Sequence, residues 1–241
     1  MNLEEKTKDL IVLYEDNHII VVVKEENILS QADNTLDLDM LTLVKNYIKE
    51  KHNKPGNVYL GLVSRLDRRV GGVMVFAKSS KAASRLSDDI RTHNINKEYY
   101  AIVEGIIDTD GSLKDYLYKD EKELKAIISS ENNKEAKEAI LNYYVQKKIE
   151  IDNSNYTLLK IELITGRYNQ IRAQLSHFNH PIINDFKYGY KGKNYEDSLG
   201  LWCHQISFTH PVTKEDMTFS YTNKSGVWRY IWTKKIISYC Q

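Results

Sequence analysis

Residues 64–78 read SRLDRRVGGVMVFAK, and the fold turns on how this stretch is read. One carboxylate, Asp67, stands among Arg65, Arg68 and Arg69. Gly71 and Gly72 follow, and then the apolar run Val73-Met74-Val75-Phe76-Ala77. The run has the length and composition of a buried strand. The glycines let another backbone or a ligand approach closely. A carboxylate in such a field of guanidinium groups keeps its charge at neutral pH, which suits nucleophilic or basic work and not proton donation. Taken alone, the cluster is also what a set of surface ion pairs looks like, so the flanking sequence has to decide.

Upstream, residues 11–14 and 19–23 are short β-prone runs separated by Glu15-Asp16-Asn17-His18, the pattern of a hairpin. Leu41, Val44 and Ile48 fall at helical spacing, with Asp37 and Asp39 at the positive end of the helix dipole; the helix is expected to stop near His52, before Pro55-Gly56. Downstream, Ser79 or Ser80 caps a helix whose inner face carries Ala82, Leu86 and Ile90, and residues 97–104 read as the next strand. Residues 108–138 are rich in Asp, Glu, Lys and Asn, with little periodicity, and are expected to form a surface excursion rather than a second core. Residues 159–163 alternate as a half-buried strand, turn at Thr165-Gly166 and lead into a helix with Ile171, Leu175 and Phe178 on one side. Residues 203–209 and 216–220 read as two strands joined through His210-Pro211. The elements do not alternate as βαβ units. The expected class is α+β, with a mixed, largely antiparallel β-sheet core and flanking helices and loops, in a single domain over residues 1–241.

Composition narrows the function. With 241 residues, 41% of them hydrophobic, and only 11 Gly and 3 Pro, the chain can bury a core and is neither disordered nor collagen-like. The longest strongly apolar run, residues 19–23, is far short of the roughly 20 residues that span a bilayer. The N-terminus MNLEEKTKDL is acidic where a signal peptide is basic and then apolar, so a soluble, cytoplasmic protein with no membrane partner is expected. Cys203 and Cys240 lack a CxxC partner and are expected to be reduced. The net charge of +1 hides a pattern: residues 61–100 hold 8 basic and 4 acidic groups and residues 160–193 hold 6 and 2, while residues 1–60 and 101–159 are each net acidic. Two basic blocks facing one cleft would hold a polyanion despite the neutral total; the other reading is two solvated faces.

Several segments, in order, resemble the signatures of the RluA family of RNA pseudouridine synthases. Residues 64–78 resemble HRLDxxTSGxxxxAK, and residues 97–105, KEYYAIVEG, resemble KxYxAxVxG. Residues 165–172, TGRYNQIR, resemble TGRTHQIR. His180-Pro181-Ile182, Asp185 and Tyr188-Gly189 resemble HPIxGDxxYG, and residues 208–219 resemble the closing FxHPxTxExxxF. With the opening hairpin, the resemblance covers about residues 10–220. It implies the pseudouridine synthase fold with a central catalytic cleft, and a stand-alone catalytic domain without an S4 domain, since fewer than ten residues precede the match. It also implies isomerisation of uridine in ribosomal or transfer RNA, without a cofactor, by a monomer.

Carried over residue by residue, the resemblance makes Asp67 the catalytic aspartate, Tyr99 the tyrosine that stacks on the target base, and Arg172 the basic partner of the aspartate. Arg65, Arg68, Arg69 and Arg167 become clamps on phosphates around a flipped-out base, with Leu66, Gln170 and Ile171 also placed at the substrate. The sequence departs from the family pattern at Ser64, Val70, Gly71, Tyr168 and Asn169, and at Lys24-Glu25-Glu26-Asn27, where a KPxG turn is usual. These changes imply altered RNA contacts or substrate choice rather than lost catalysis. A non-catalytic RNA-binding protein retaining the fold is the alternative, and a glycosidase lacks a plausible second carboxylate to act as the acid in a matched segment. His177 and His180 lack the further ligands of a metal site. Trp228, Tyr230, Ile231, Trp232 and Ile236, beyond the match, read as a helix packed on the core rather than a platform for RNA bases.

Overall fold

The structure, a computed structural model, describes residues 3–233. Its elements run α1 (Leu3–Lys8), β1 (Val12–Glu15), β2 (Ile19–Lys24), α2 (Met40–Lys51), β3 (Gly61–Leu62), β4 (Gly71–Ala77), α3 (Ser80–Arg91) and β5 (Asn96–Glu104). They continue as β6 (Gly111–Asp120), β7 (Lys125–Ser129), β8 (Lys137–Ile151), β9 (Ser154–Leu163), α4 (Gln170–His177), β10 (Leu201–Thr209), β11 (Asp216–Ser220) and α5 (Arg229–Thr233). The chain forms two compact units. Among the described residues, 3–97 with 203–221 make the first, and 98–202 with 222–233 the second. Both are built on mostly antiparallel sheet, so the class is α+β.

In the first unit the strand order is β1-β2-β4-β10, with β11 on β10 and β3 on β4. Every residue of β2 and β4 is buried, as continuous apolar runs require when both faces are covered. One face carries Ile19, Val21, Val73, Val75 and Ala77 against Ala82 and Leu86 of α3 and Ile206 and Phe208 of β10. The turn between β1 and β2 is set by Asp16, whose Oδ1 accepts from the amides of His18 and Ile19, both at 2.7 Å. Asp39 caps α2, accepting from Thr42 N at 3.1 Å and Thr42 Oγ1 at 2.7 Å, and Ser79 caps α3. The buried face of α2 is Met40, Leu43, Val44 and Ile48, so Leu41 flanks the stripe rather than belonging to it.

In the second unit the order is β5-β9-β8-β6-β7, every neighbouring pair antiparallel. Here the structure corrects one expectation. Much of residues 108–138 is not an irregular excursion: β6 and β7 form a hairpin that extends the sheet from β8, and Leu117, Ala126 and Ala139 build a small core with Ala173 and Tyr188. The reason is that only one side of this hairpin is covered. Alternation survives in the burial of β6, but charged residues on its open side and Asp115 on its covered side hide it from a hydrophobicity scan. Trp228 and Ile231 are buried as expected for packing on the core; Ile236 and Cys240 lie outside the described residues, and Cys203 is buried. No described helix is long and apolar enough to cross a membrane.

Gly72 has no room for a side chain. It pairs with Lys24 at φ +137°, and a Cβ there would lie 2.3 Å from the carbonyl oxygen of Cys203. Gly72→Ala is therefore expected to cost on the order of 3 kcal/mol, a fall in Tm of roughly 6–12 °C for a chain of this size. Thermal melting checks this, and an unchanged Tm would show that the strand end gives way freely.

Candidate active site

Asp67 sits between β3 and β4 in a loop that the protein grips by its backbone. Its carboxylate Oδ1 accepts from Arg69 N at 2.9 Å, and its carbonyl accepts from Val70 N at 3.0 Å, which closes a turn on the Asp itself. The residue before it, Leu66, is buried, with its N–H and C=O both bonded to the Ser30 hydroxyl, at 3.0 and 2.7 Å. After it, the Lys24 ammonium donates to the carbonyls of Arg68 at 3.0 Å, Val70 at 2.7 Å and Glu25 at 3.1 Å. Arg68 also pairs with Asp37 at 2.7 Å on the surface, and Arg65 is exposed.

Lys24 has no exposed surface. Burial pushes its pKa down to about 7, against the attraction of Asp67 and Glu26, with Arg68 adding repulsion. Three carbonyl oxygens satisfy a group that would otherwise be costly to bury. The sequence signal for this role was slight: a lysine ending an apolar strand, followed by two glutamates, reads as the point where the strand enters solvent.

The second unit presents Tyr99, Arg167 and Arg172. Tyr99 is 7% exposed on β5, opposite Ile161 of β9. Arg172 is buried on α4, and its guanidinium makes a two-pronged bond to Asp185, Nε to Oδ2 at 2.7 Å and Nη2 to Oδ1 at 2.6 Å. It lies 4.7 Å over the ring of Tyr188. Fork-on-fork pairing and stacking together fix the plane of the guanidinium. Asp185 is itself fully buried, in a turn where its carbonyl accepts from Tyr188 N and Tyr190 N. Thus two residues of the motif at 180–189, to which sequence reading assigned no task, hold Arg172.

The turn before α4 is organised by Gln170. Its Oε1 accepts from Thr165 Oγ1 and Arg167 N, both at 2.9 Å, and its Nε2 donates to Ile140 O and Gln174 Oε1, both at 3.0 Å. Gln170, Ile171 and Leu66 are 2, 4 and 7% exposed, so of the residues expected at the substrate these three face the protein interior. Arg167 is exposed, with Nε donating to Glu138 O at 2.8 Å. The departures at 168 and 169 have their own partners. Tyr168 donates to Leu124 O at 3.0 Å beneath the Lys119 ammonium, and Asn169, at φ +46°, donates to the Tyr188 hydroxyl at 3.2 Å. Asparagine tolerates the left-handed region better than most residues, which suits this position. His177 faces Asp115, and His180 lies against the carbonyl of Glu104.

Residues 18–177 match the family described as RNA pseudouridylate synthase. The chain is 30% identical over 241 residues to the tRNA pseudouridine synthase C of Vibrio parahaemolyticus, covering 94% of this chain and 95% of that one. It is 31% identical over 220 residues to the ribosomal large subunit pseudouridine synthase C of Buchnera aphidicola, covering 86% of this chain and 65% of that one. The fold is that of the human RNA pseudouridylate synthase domain containing 1, with a TM-score of 0.73 at 17% identity over 90% of this chain and 85% of that one.

Lys24 gives the site a signature in stability. Its folded pKa lies below that of an unfolded lysine, so the unfolded chain binds more protons between about pH 7 and 10.5 and Lys24 favours folding increasingly as pH rises through that window. The unfolding free energy of the wild type relative to Lys24→Met is expected to grow by up to about 1.4 kcal/mol per pH unit there and to level off below pH 7. Urea denaturation at pH 6, 8 and 9.5 measures it; a difference independent of pH would contradict the burial of this charge.

Proposed function

The chain belongs to the RNA pseudouridylate synthase family, of the RluA type that its motifs resemble, and from that premise we propose which residues carry the isomerisation and in which RNA. The reaction breaks the N1–C1′ bond of a uridine, turns the uracil and joins C5 to C1′; C5 loses a proton and N1 gains one. No electrons are exchanged. Asp67 is the group that starts it, attacking C1′ or removing the C2′ proton, both of which need an ionised carboxylate. Arg172 is the basic partner of Asp67, its plane set by Asp185 and Tyr188. Tyr99 offers its ring to the base and its hydroxyl to the departure of the C5 proton.

Arg65, Arg68, Arg69 and Arg167 are proposed to contact phosphates around an extruded nucleotide. Gln170, Leu66 and Ile171 support those groups from inside. The substrate is proposed to be transfer or ribosomal RNA, since relatives named for each kind are similarly close in identity, and the protein to work as a monomer in the cytoplasm where such RNA is found. The single observation that carries the reading is that the matched residues 18–177 contain Asp67, Tyr99 and Arg172, each within a motif of the expected kind.

The wild type is expected to release tritium from total RNA labelled at uracil C5 and taken from cells lacking this enzyme. Asp67→Asn is expected to release none while binding RNA within several fold of the wild type. Near-normal release by that variant would remove Asp67 from the chemistry, and RNA binding without release by the wild type would favour a non-catalytic RNA-binding protein. In the same assay Arg172→Ala is expected to lose more than tenfold in rate, and an unchanged rate would take Arg172 out of the site.

A further inference from the structure

We propose that Ser30 is a positioning residue for Asp67: its hydroxyl locks the Leu66 peptide groups and so fixes the direction in which the Asp67 carboxylate leaves the loop. This rests on the function proposed above.

The geometry is specific. Ser30 is 5% exposed, and one oxygen serves both polar groups of Leu66, donating to the carbonyl at 2.7 Å and accepting from the N–H at 3.0 Å. The carbonyl of Leu66 and the N–H of Asp67 belong to one peptide plane, so rotation of that plane is what the Ser30 hydroxyl prevents. Ser30 is itself held. Leu29 N donates to Leu38 O at 3.2 Å and Met40 N to Leu29 O at 2.8 Å, a short parallel bridge next to Asp39, the cap of α2. The same segment supplies Asp37 to Arg68. The start of α2 is thus linked through residues 29–30 to the backbone before Asp67, while Lys24 holds the backbone after it.

A polar contact buried only for stability would be replaceable by any substitution that folds. A positioning contact shows in the rate instead, because a displacement of about 1 Å at a reacting group costs up to about a hundredfold. The test measures tritium release from the labelled total RNA at saturating RNA, the half-saturating RNA concentration, and Tm, for the wild type, Ser30→Ala, Ser30→Cys and Ser30→Thr. Ser30→Ala is expected to lose tenfold or more in the saturating rate with the half-saturating concentration within twofold. Ser30→Cys, nearly the same shape with a weaker donor, is expected to fall between, and Ser30→Thr, which keeps the hydroxyl, to recover to within about threefold of the wild type. Amide hydrogen exchange of Ser30→Ala is expected to speed up at residues 66–70 and not in β2 or β4. Saturating rates of Ser30→Ala or Ser30→Cys within twofold of the wild type would overturn the proposal, as would a loss in Ser30→Thr equal to that in Ser30→Ala. Wild-type release judges the proposed function, and the ratio of variant to wild type judges Ser30.

Discussion

A lysine with no exposed surface sets the geometry of the first unit. Lys24 ends β2 opposite Gly72, and that register brings its ammonium under the carbonyls of Arg68 and Val70. Moving the strand by one residue would turn every side chain of β2 to the other face and carry the ammonium away from the loop. The fully buried pairing of β2 with β4 makes such a slip costly, and the close approach of Gly72 to Cys203 leaves no room for a different strand end. The position of the Asp67 loop is therefore a consequence of apolar burial in the strands, passed to the loop by one buried cation and one buried hydroxyl.

The second unit solves a similar problem with an ion pair. A buried guanidinium needs a partner because its desolvation is not repaid otherwise, and Asp185 supplies one with both oxygens. Tyr188 stacks on the guanidinium while its hydroxyl accepts from Ala126 N and Asn169 Nδ2, so Arg172, the β6–β7 hairpin and the turn before α4 share one anchor. This also explains how the chain accommodates Tyr168 and Asn169 in place of the Thr-His of the signature that residues 165–172 resemble. Both side chains are engaged with the hairpin side of their own unit, leaving Arg172 and its partner in place.

Much of this was legible because it rests on local chemistry. The hairpin before Asp67, the acidic start of α2 at Asp39, the serine cap of α3 and the apolar run of β4 follow from turn residues, charge and side-chain oxygens at helix starts, and hydrophobic content. So did the family, whose motifs run in order along the chain. What stayed hidden has a common cause. The β6–β7 hairpin is covered on one side only, so its charged open face and its inward Asp115 masked the period. Lys24, Ser30 and Asp185 are polar residues used inside the protein, and a polar residue in a sequence carries no mark of whether water or a carbonyl surrounds it.

By itself the sequence determined the class of fold, the family and the identity of Asp67, Tyr99 and Arg172 as the groups to examine, because hydrophobic period, turn chemistry and motif order are properties of neighbours in the chain. Only the tertiary structure decided how Asp67 and Arg172 are held. Ser30 lies 36 residues from Leu66 and Lys24 lies 46 from Val70, and Asp185 reaches Arg172 across a turn. Hydrogen bonds and ion pairs of that kind act over about 3 Å in space, and no separation along the chain announces them.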